Sequence, residues 1–284
     1  MPAFDLTTYL ERLGMERPAV PDAEALQQVQ RAQLRALSFE SFDPYLGSAP
    51  DLDLDVIVEK ILHRRRGGYC FELNALFGAA LSALGFQTRR ALGRVRKGLP
   101  EGGPRTHLLM TVTIGEERFI ADAGFGGPGA LEPLKLVLDV EQDMPNGRYR
   151  LIRDARTDET VIERWTNGQW GSLYGFDAAF VVDADVAGAN HICATWSRMP
   201  FPNHLMLAGF DGNTRIGVFG RNVTRETAEG DTRTVVTSEA EFASLVRGEL
   251  RIGVDDRMIA AAWARIERDN PLPAEARGMA EKTL

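Results

Sequence analysis

The chain has 284 residues, room for two units at about 150 residues per domain or for one multi-lobed enzyme with a continuous core. Its 44% hydrophobic and 26% charged residues are ordinary for a globular protein and exclude disordered, collagenous and coiled-coil classes. With 33 Lys and Arg against 40 Asp and Glu the net charge is −7, which repels polyanions and argues against nucleic acid as a main partner. The two cysteines, Cys70 and Cys193, are too few for a disulfide framework or a four-ligand zinc site and suit a reducing, cytoplasmic compartment. The first fifteen residues contain Asp5 and lack a signal-peptide pattern, and no apolar run approaches the length of a membrane span. A soluble, cytoplasmic protein is expected.

From Pro21 to about Gly85 the periodicity is helical. Leu54, Ile57, Val58, Ile61 and Leu62 recur at helical spacing behind Asp51, Asp53 and Asp55, which complement a helix N-terminus. After Gly67-Gly68 a second helix is expected from near Cys70, with Leu73, Leu76, Phe77, Ala80, Leu81 and Leu84 apolar and Gly85 at the C-terminal cap. With the segment around Leu26, Val29, Leu34 and Leu37 these form a helical bundle. Beyond Gly85 the period becomes two. Leu108, Met110, Val112 and Ile114 mark a strand that turns at Gly115-Glu116 into Arg118 to Asp122, a hairpin. Runs at Tyr149 to Arg153, Thr160 to Trp165 and Gln169 to Phe176 extend an antiparallel sheet or barrel. From about Asn190 the chain reads as irregular, with strands near His204 to Ala208, Arg215 to Phe219 and Arg233 to Thr237. Two helices follow, one opened by Ser238 and Glu241 in capping-box spacing, one with Ile259, Ala262, Trp263 and Ile266 on one face.

The densest chemical signal is RRRGGYCFELN, residues 64 to 74. A cysteine in the first turn of an apolar helix, behind three arginines, sits at the positive end of the helix dipole, where a thiolate is stabilised. Gly67 and Gly68 would let backbone approach closely and leave amide donors near the sulfur for an oxyanion. Position alone leaves a buried structural cysteine equally open. A nucleophilic thiolate needs an imidazole to handle its proton and a third group to orient that imidazole. His107 begins the strand THLLMTVTI and Asp122 ends the returning strand. Counted from Gly115 they are nearly level, within reach of each other across an antiparallel pair.

The strings RGGYCFELN, PRTHLLM and ADAGFGG, with LRALSFESFD near residue 40, EPLKL and FPNHLM near residue 201, closely resemble the arylamine N-acetyltransferase family along nearly the whole chain. The resemblance implies an α+β fold with a cysteine-protease-like core. Its parts would be an N-terminal helical bundle carrying the cysteine (residues 1–85), a central antiparallel β-barrel carrying His and Asp (86–190), and a linker with a C-terminal α/β lid (191–284). It further implies acetyl-CoA-dependent N-acetylation of arylamines, arylhydrazines and arylhydroxylamines by a ping-pong mechanism, a role in xenobiotic metabolism, and small-molecule partners. Cys70 matches the acetyl-accepting nucleophile, His107 the base and Asp122 the group that orients it. Arg66 and Glu40 match a structural pair bracing the helix start. Phe39, Val95, Phe125 and Phe201 match residues lining the acyl and arylamine pocket. Ser38 and Ser41 stand where the family has proline and asparagine.

Six basic residues between 89 and 105 (Arg89, Arg90, Arg94, Arg96, Lys97, Arg105) against Glu101 form a candidate phosphate-facing rim for acetyl-CoA, and solvated strand and loop charges remain an equal reading. Gly126 and Gly127 in GFGGPG are candidate cofactor-binding positions, because glycine permits close backbone approach. Cys193, His63, His191 and His204 show no metal-ligand spacing, so no metal is expected. Alternatives are an amide synthase acting on a carrier-bound aryl-amine polyketide, a papain- or transglutaminase-type cysteine hydrolase, and a non-catalytic binding module. A monomer or small homo-oligomer is expected.

Overall fold

Two side-chain-capped helices open the chain in the computed structural model, which describes residues 4–96, 98–227 and 230–272. Asp5 accepts from the amides of Thr7 and Thr8 at the start of α1 (Leu6–Leu13), and Asp22 accepts from Ala25 at the start of α2 (Ala23–Ala36). Both carboxylates satisfy amides that lack a helical acceptor. After β1 (Phe39–Glu40) and the single turn α3 (Phe42–Tyr45) comes α4 (Leu54–Val58), which runs into a π-helical turn at Glu59–His63. The apolar spacing from Leu54 to Leu62 predicts one regular helix. The wider turn falls where Lys60 reaches buried carboxylates, a polar demand that an apolar pattern does not register.

Helix α5 (Cys70–Ala83) is the centre of the N-terminal core. Leu76, Phe77, Ala80 and Leu81 are fully buried, and the helix packs on α1, α2 and α4 on one side and on β2 (Gln87–Val95) and β3 (Arg105–Ile114) on the other. Burial all round explains why its sequence is apolar rather than amphipathic.

The middle of the chain forms one eight-stranded antiparallel sheet in the order β5-β4-β3-β2-β9-β8-β7-β6. The remaining strands are β4 (Glu117–Ala121), β5 (Leu134–Lys135), β6 (Glu141–Met144), β7 (Gly147–Asp154), β8 (Glu159–Thr166) and β9 (Gln169–Phe176). The hairpin pairs Ile114 with Glu117 across Gly115-Glu116, as its spacing predicts. The sheet curls until its edges meet through a side chain: the Gln142 amide on β6 accepts from Lys135 N at 2.8 Å and donates to Lys135 O at 2.9 Å on β5. This nearly closes the barrel around Leu109, Ile120, Tyr149, Leu151, Ile162 and Tyr174.

Helix α6 (Asp183–Thr195) crosses residue 190 and is absent from the sequence reading. Its buried positions Val186, Ala189, Asn190, Cys193 and Ala194 do follow helical spacing, but four of the five are small or polar, so the apolar pattern is faint. A five-stranded antiparallel sheet follows, in the order β1-β10-β11-β12-β13, so β1 from the N-terminal region is its first strand. Its other members are β10 (Met206–Asp211), β11 (Thr214–Phe219), β12 (Asn222–Thr227) and β13 (Gly230–Val235). Strand β12 was not expected either, since Val223 is its one buried residue. Ser238 caps α7 (Glu239–Ser244) through Glu241 N at 3.2 Å. Ile259, Ala262, Trp263 and Ile266 form the buried face of α8 (Asp256–Asp269), which packs with α7 over this sheet. The architecture is the mixed helix, barrel and α/β arrangement expected. No described helix is long and apolar enough to cross a membrane.

Candidate active site

Two glycines place Cys70. Glu40 N donates to Gly68 O at 2.9 Å and Gly68 N to Ser38 O at 3.3 Å, so the RGG segment lies against β1. A Cβ on Gly67 would stand 2.1 Å from Ser38 O, so no side chain fits there. Gly67 serves close packing, and the Gly68 amide, already bonded, is not available for the oxyanion role expected of it. Glu72 accepts from Tyr69 N at 3.0 Å, and α5 begins at Cys70.

Cys70 is buried, and its sulfur lies 3.6 Å from Thr106 O. The next residue on β3 is His107, which lines the same cavity as Cys70. His107 Nε2 lies 2.7 Å from Asp122 Oδ2, which leaves Nδ1 for the sulfur. Burial works against the imidazolium, but the Asp122 charge and its hydrogen bond, together with Cys70, outweigh it and raise the pKa from 6.5 to about 10. Two of the three arginines before the cysteine already have acidic partners. Arg64 pairs with exposed Glu59, and Arg66 pairs with Glu40 and Asp43.

Asp122 is saturated with donors. Oδ2 also accepts from Tyr174 OH at 2.7 Å, and Oδ1 accepts from Asn74 Nδ2 at 2.8 Å and Gly124 N at 3.0 Å. Burial opposes the charged form, yet His107 and these donors hold the carboxyl below its ordinary value. Asn74 is one helical turn beyond Cys70. It also donates to Leu108 O at 2.6 Å and accepts from Ala123 N at 3.0 Å, tying α5 to β3 and to the chain leaving β4. Asn74 and Tyr174 were missed in the sequence. The signal for Asn74 was a polar residue at i+4 from the cysteine on an otherwise apolar helix; for Tyr174 there was none.

Behind the helix start lies a charged cluster. Arg66 donates to Glu40 Oε1 at 2.6 and 3.0 Å, and Lys60 Nζ reaches Asp43 at 2.6 Å and Glu72 at 2.7 Å. Burial lifts the Glu72 carboxyl and Glu40 adds to this, with Lys60 opposing, to a pKa of about 7. Ser38 Oγ donates to Leu250 O at 2.7 Å and Ser41 Oγ accepts from Met206 N at 2.9 Å, so both departures from the family pattern are stitched to the C-terminal region.

Cys70 and His107 open onto a cavity of about 340 Å³. Phe39, Val95, Phe125 and Phe201 all line it, as do Gly126 and Gly127. The Phe125 ring meets His107 edge-on with centroids 5.1 Å apart, and Phe201 stacks between Phe39 and Tyr69 at 5.9 and 5.8 Å. Trp196 and Arg198 complete the wall, with the guanidinium 5.6 Å from the indole. Cys193 is buried nearby, its sulfur 3.8 Å from the same Thr106 O that Cys70 contacts. Burial and then the charge of Cys70 push its thiol up.

The basic rim does not survive folding as a free charge. Arg90 pairs with Asp183 at 2.6 Å, Arg94 with Glu159 at 3.0 Å, Arg96 with Asp154 and Glu159, and Arg105 with Asp177, while Arg89 lies over the Phe180 ring. Acidic partners about sixty to ninety residues away, invisible to a local charge count, neutralise Arg90, Arg94, Arg96 and Arg105. Lys97 lies outside the described residues. No cluster of three or more His, Cys, Asp or Glu side chains suited to a metal ion occurs among the described residues.

An N-acetyltransferase family model matches residues 22–259. The chain belongs to the arylamine N-acetyltransferase family. It is 38% identical over 203 residues to a Salmonella typhimurium protein described as arylamine N-acetyltransferase / N-hydroxyarylamine O-acetyltransferase, covering 71% of this chain and 72% of that one. Among solved structures, the Mycobacterium marinum arylamine N-acetyltransferase superposes with a TM-score of 0.87 at 29% identity, covering 93% of this chain and 99% of that one. The same enzyme in complex with CoA superposes with a TM-score of 0.86 at 29% identity over the same shares.

Proposed function

We propose that this arylamine N-acetyltransferase family member transfers acetyl groups from acetyl-CoA to arylamines, arylhydrazines and arylhydroxylamines through an acetyl-cysteine at Cys70. The observation that carries the reading is the meeting of Cys70 and His107 in one aromatic-lined cavity, with His107 held by Asp122 at 2.7 Å. In the resting site the raised pKa keeps His107 protonated at neutral pH, and the imidazolium stabilises an anionic sulfur. The sulfur attacks the thioester carbonyl carbon, a carbon–sulfur bond to Cys70 forms, and coenzyme A leaves with the proton from His107. Having given its proton to coenzyme A, the neutral ring is then free to act as a base. The amine nitrogen then attacks the acetyl carbon, His107 takes its proton, and Cys70 is released as the amide departs. Asp122 holds the ring in orientation throughout, and Asn74 and Tyr174 hold Asp122.

Phe39, Val95, Phe125 and Phe201 provide the apolar walls for a flat aromatic acceptor. The loop after Asp122 fits the donor: the N–H groups of Phe125, Gly126 and Gly127 have no acceptor among the described residues, and all three residues line the cavity. Free backbone amides in a glycine-rich loop suit a carbonyl oxygen or a phosphate. Two free buried cysteines suit a cytoplasmic enzyme, and a monomer or small homo-oligomer is the proposed state. Initial rates with acetyl-CoA and an arylamine should give parallel double-reciprocal lines, and Cys70→Ala should abolish transfer while the protein stays folded. Intersecting lines, or full activity in the variant, would overturn the reading.

A further inference from the structure

The loop from Gly126 to Gly129 is held by its carbonyls from outside the cavity. Gly126 O accepts from Arg215 Nη2 at 2.8 Å, and Gly129 O accepts from Asn146 Nδ2 at 2.8 Å and Tyr149 OH at 2.9 Å. Gly127 O is taken by Gly129 N within the loop. A backbone whose carbonyls are tied on one side while consecutive N–H groups stay free on cavity-lining residues is an anion-binding arrangement. Gly126 has no room for a side chain, since a Cβ would stand 2.8 Å from the Phe39 ring. The position of the loop therefore depends on what grips its main chain.

Arg215 is the grip that comes from another part of the fold. It lies on β11, is 9% exposed, and its Nη1 donates to Glu226 Oε1 at 2.7 Å on the neighbouring β12. The other Glu226 oxygen accepts from Arg164 Nη1 at 3.0 Å on barrel strand β8. One part-buried chain of charges thus joins the C-terminal sheet, the barrel and the loop after Asp122.

We propose that Arg215 is a positioning residue for the acyl donor: by fixing the Gly126 carbonyl outward, it presents the free amide of Gly127, which shares that peptide plane, to the phosphates of coenzyme A. The inference rests on the loop being donor-facing, as in the proposed function. In Arg215→Lys an ammonium keeps its charge beside Glu226 but cannot span both Glu226 and Gly126 O as the forked guanidinium does. In Arg215→Met both bonds are lost.

The test measures two properties of the full chain: coenzyme A affinity by calorimetry, without turnover, and acetyl transfer from 4-nitrophenyl acetate, a donor that carries no phosphate. Loss of a charge-assisted hydrogen bond that orders the loop predicts about tenfold weaker coenzyme A binding and about tenfold higher KM for acetyl-CoA. Transfer from 4-nitrophenyl acetate should keep its wild-type rate. Equal losses with both donors would mean that Arg215 merely braces the site, and unchanged coenzyme A affinity would mean that the loop stands without it; either result overturns the proposal. If the methionine variant does not fold, the lysine variant carries the same comparison. Wild-type protein that fails to bind coenzyme A overturns the reading of the loop itself before any variant is made.

Discussion

Asn74→Asp would probe the hydrogen-bond support of the site with almost no change of shape. Asn74 is fully buried, its Nδ2 donates to Leu108 O at 2.6 Å and Asp122 Oδ1 at 2.8 Å, and its Oδ1 accepts from Ala123 N at 3.0 Å. The substitution keeps the acceptor but turns the donor into an oxygen facing two other oxygens, one of them charged. Two adjacent buried carboxyls cannot both ionise, so the folded protein must take up a proton. Raising a carboxyl from about 3.9 to 7 or beyond costs ~4 kcal/mol at pH 7. The resulting hydroxyl can serve only one of the two acceptors, and the other bond adds ~1 kcal/mol. The total, ~5 kcal/mol, equals the lower end of a typical domain stability. The proton part carries a sign: the folded pKa lies above the unfolded one, so the penalty is absent below about pH 4 and grows by ~1.4 kcal/mol per pH unit above it. Urea denaturation of both proteins at pH 5 and pH 7 should therefore show a stability difference larger by roughly 3 kcal/mol at pH 7. A difference that is the same at both pH values, or below ~1 kcal/mol at pH 7, refutes the reasoning.

His107 gives a pH prediction for the unmodified protein. Its folded pKa of about 10 lies above the unfolded 6.5, so its contribution is complete below pH 6.5 and is lost as pH rises toward 10. The melting temperature should fall across that window, and His107→Gln should flatten the fall; parallel curves would contradict the pairing. Lys60→Met leaves the buried Glu72 carboxyl without its cation, and Asp43 with Arg66 alone, and should cost ~3 to 5 kcal/mol. By contrast, Arg64→Ala breaks only the exposed pair with Glu59 and should cost under ~1 kcal/mol. Chemical denaturation of both variants checks the contrast, and equal losses would count against it.

The parts of the site visible in the sequence are those set by local spacing. Cys70 follows a glycine pair and opens a long apolar helix, while a two-residue turn brings His107 and Asp122 into diagonal reach, two positions off level. What escaped is set by pairings between distant segments. Tyr174 reaches Asp122 because β9 pairs with β2, and no pattern around residue 174 announces that register. The arginines from 89 to 105 read as a positive stretch, yet Glu159 and Asp154 arrive beside Arg94 and Arg96 only when the barrel forms. Helix α6 was hidden because its buried face uses alanine, asparagine and cysteine where an apolar pattern would need larger side chains. Gly67 and Gly68 suggest amides for an oxyanion, but Gly67 is needed because the Ser38 carbonyl leaves no room for a side chain, and the Gly68 amide is spent on that same carbonyl.

The mass of the intact protein after brief exposure to acetyl-CoA, with and without 5-aminosalicylate, tests the central claim most directly. The account predicts a gain of one acetyl group, located on Cys70 by peptide mapping, absent from Cys70→Ala and discharged when the amine is added. A protein that stays unmodified while Cys70 still alkylates rapidly, or an acetyl group that the amine does not remove, would contradict it.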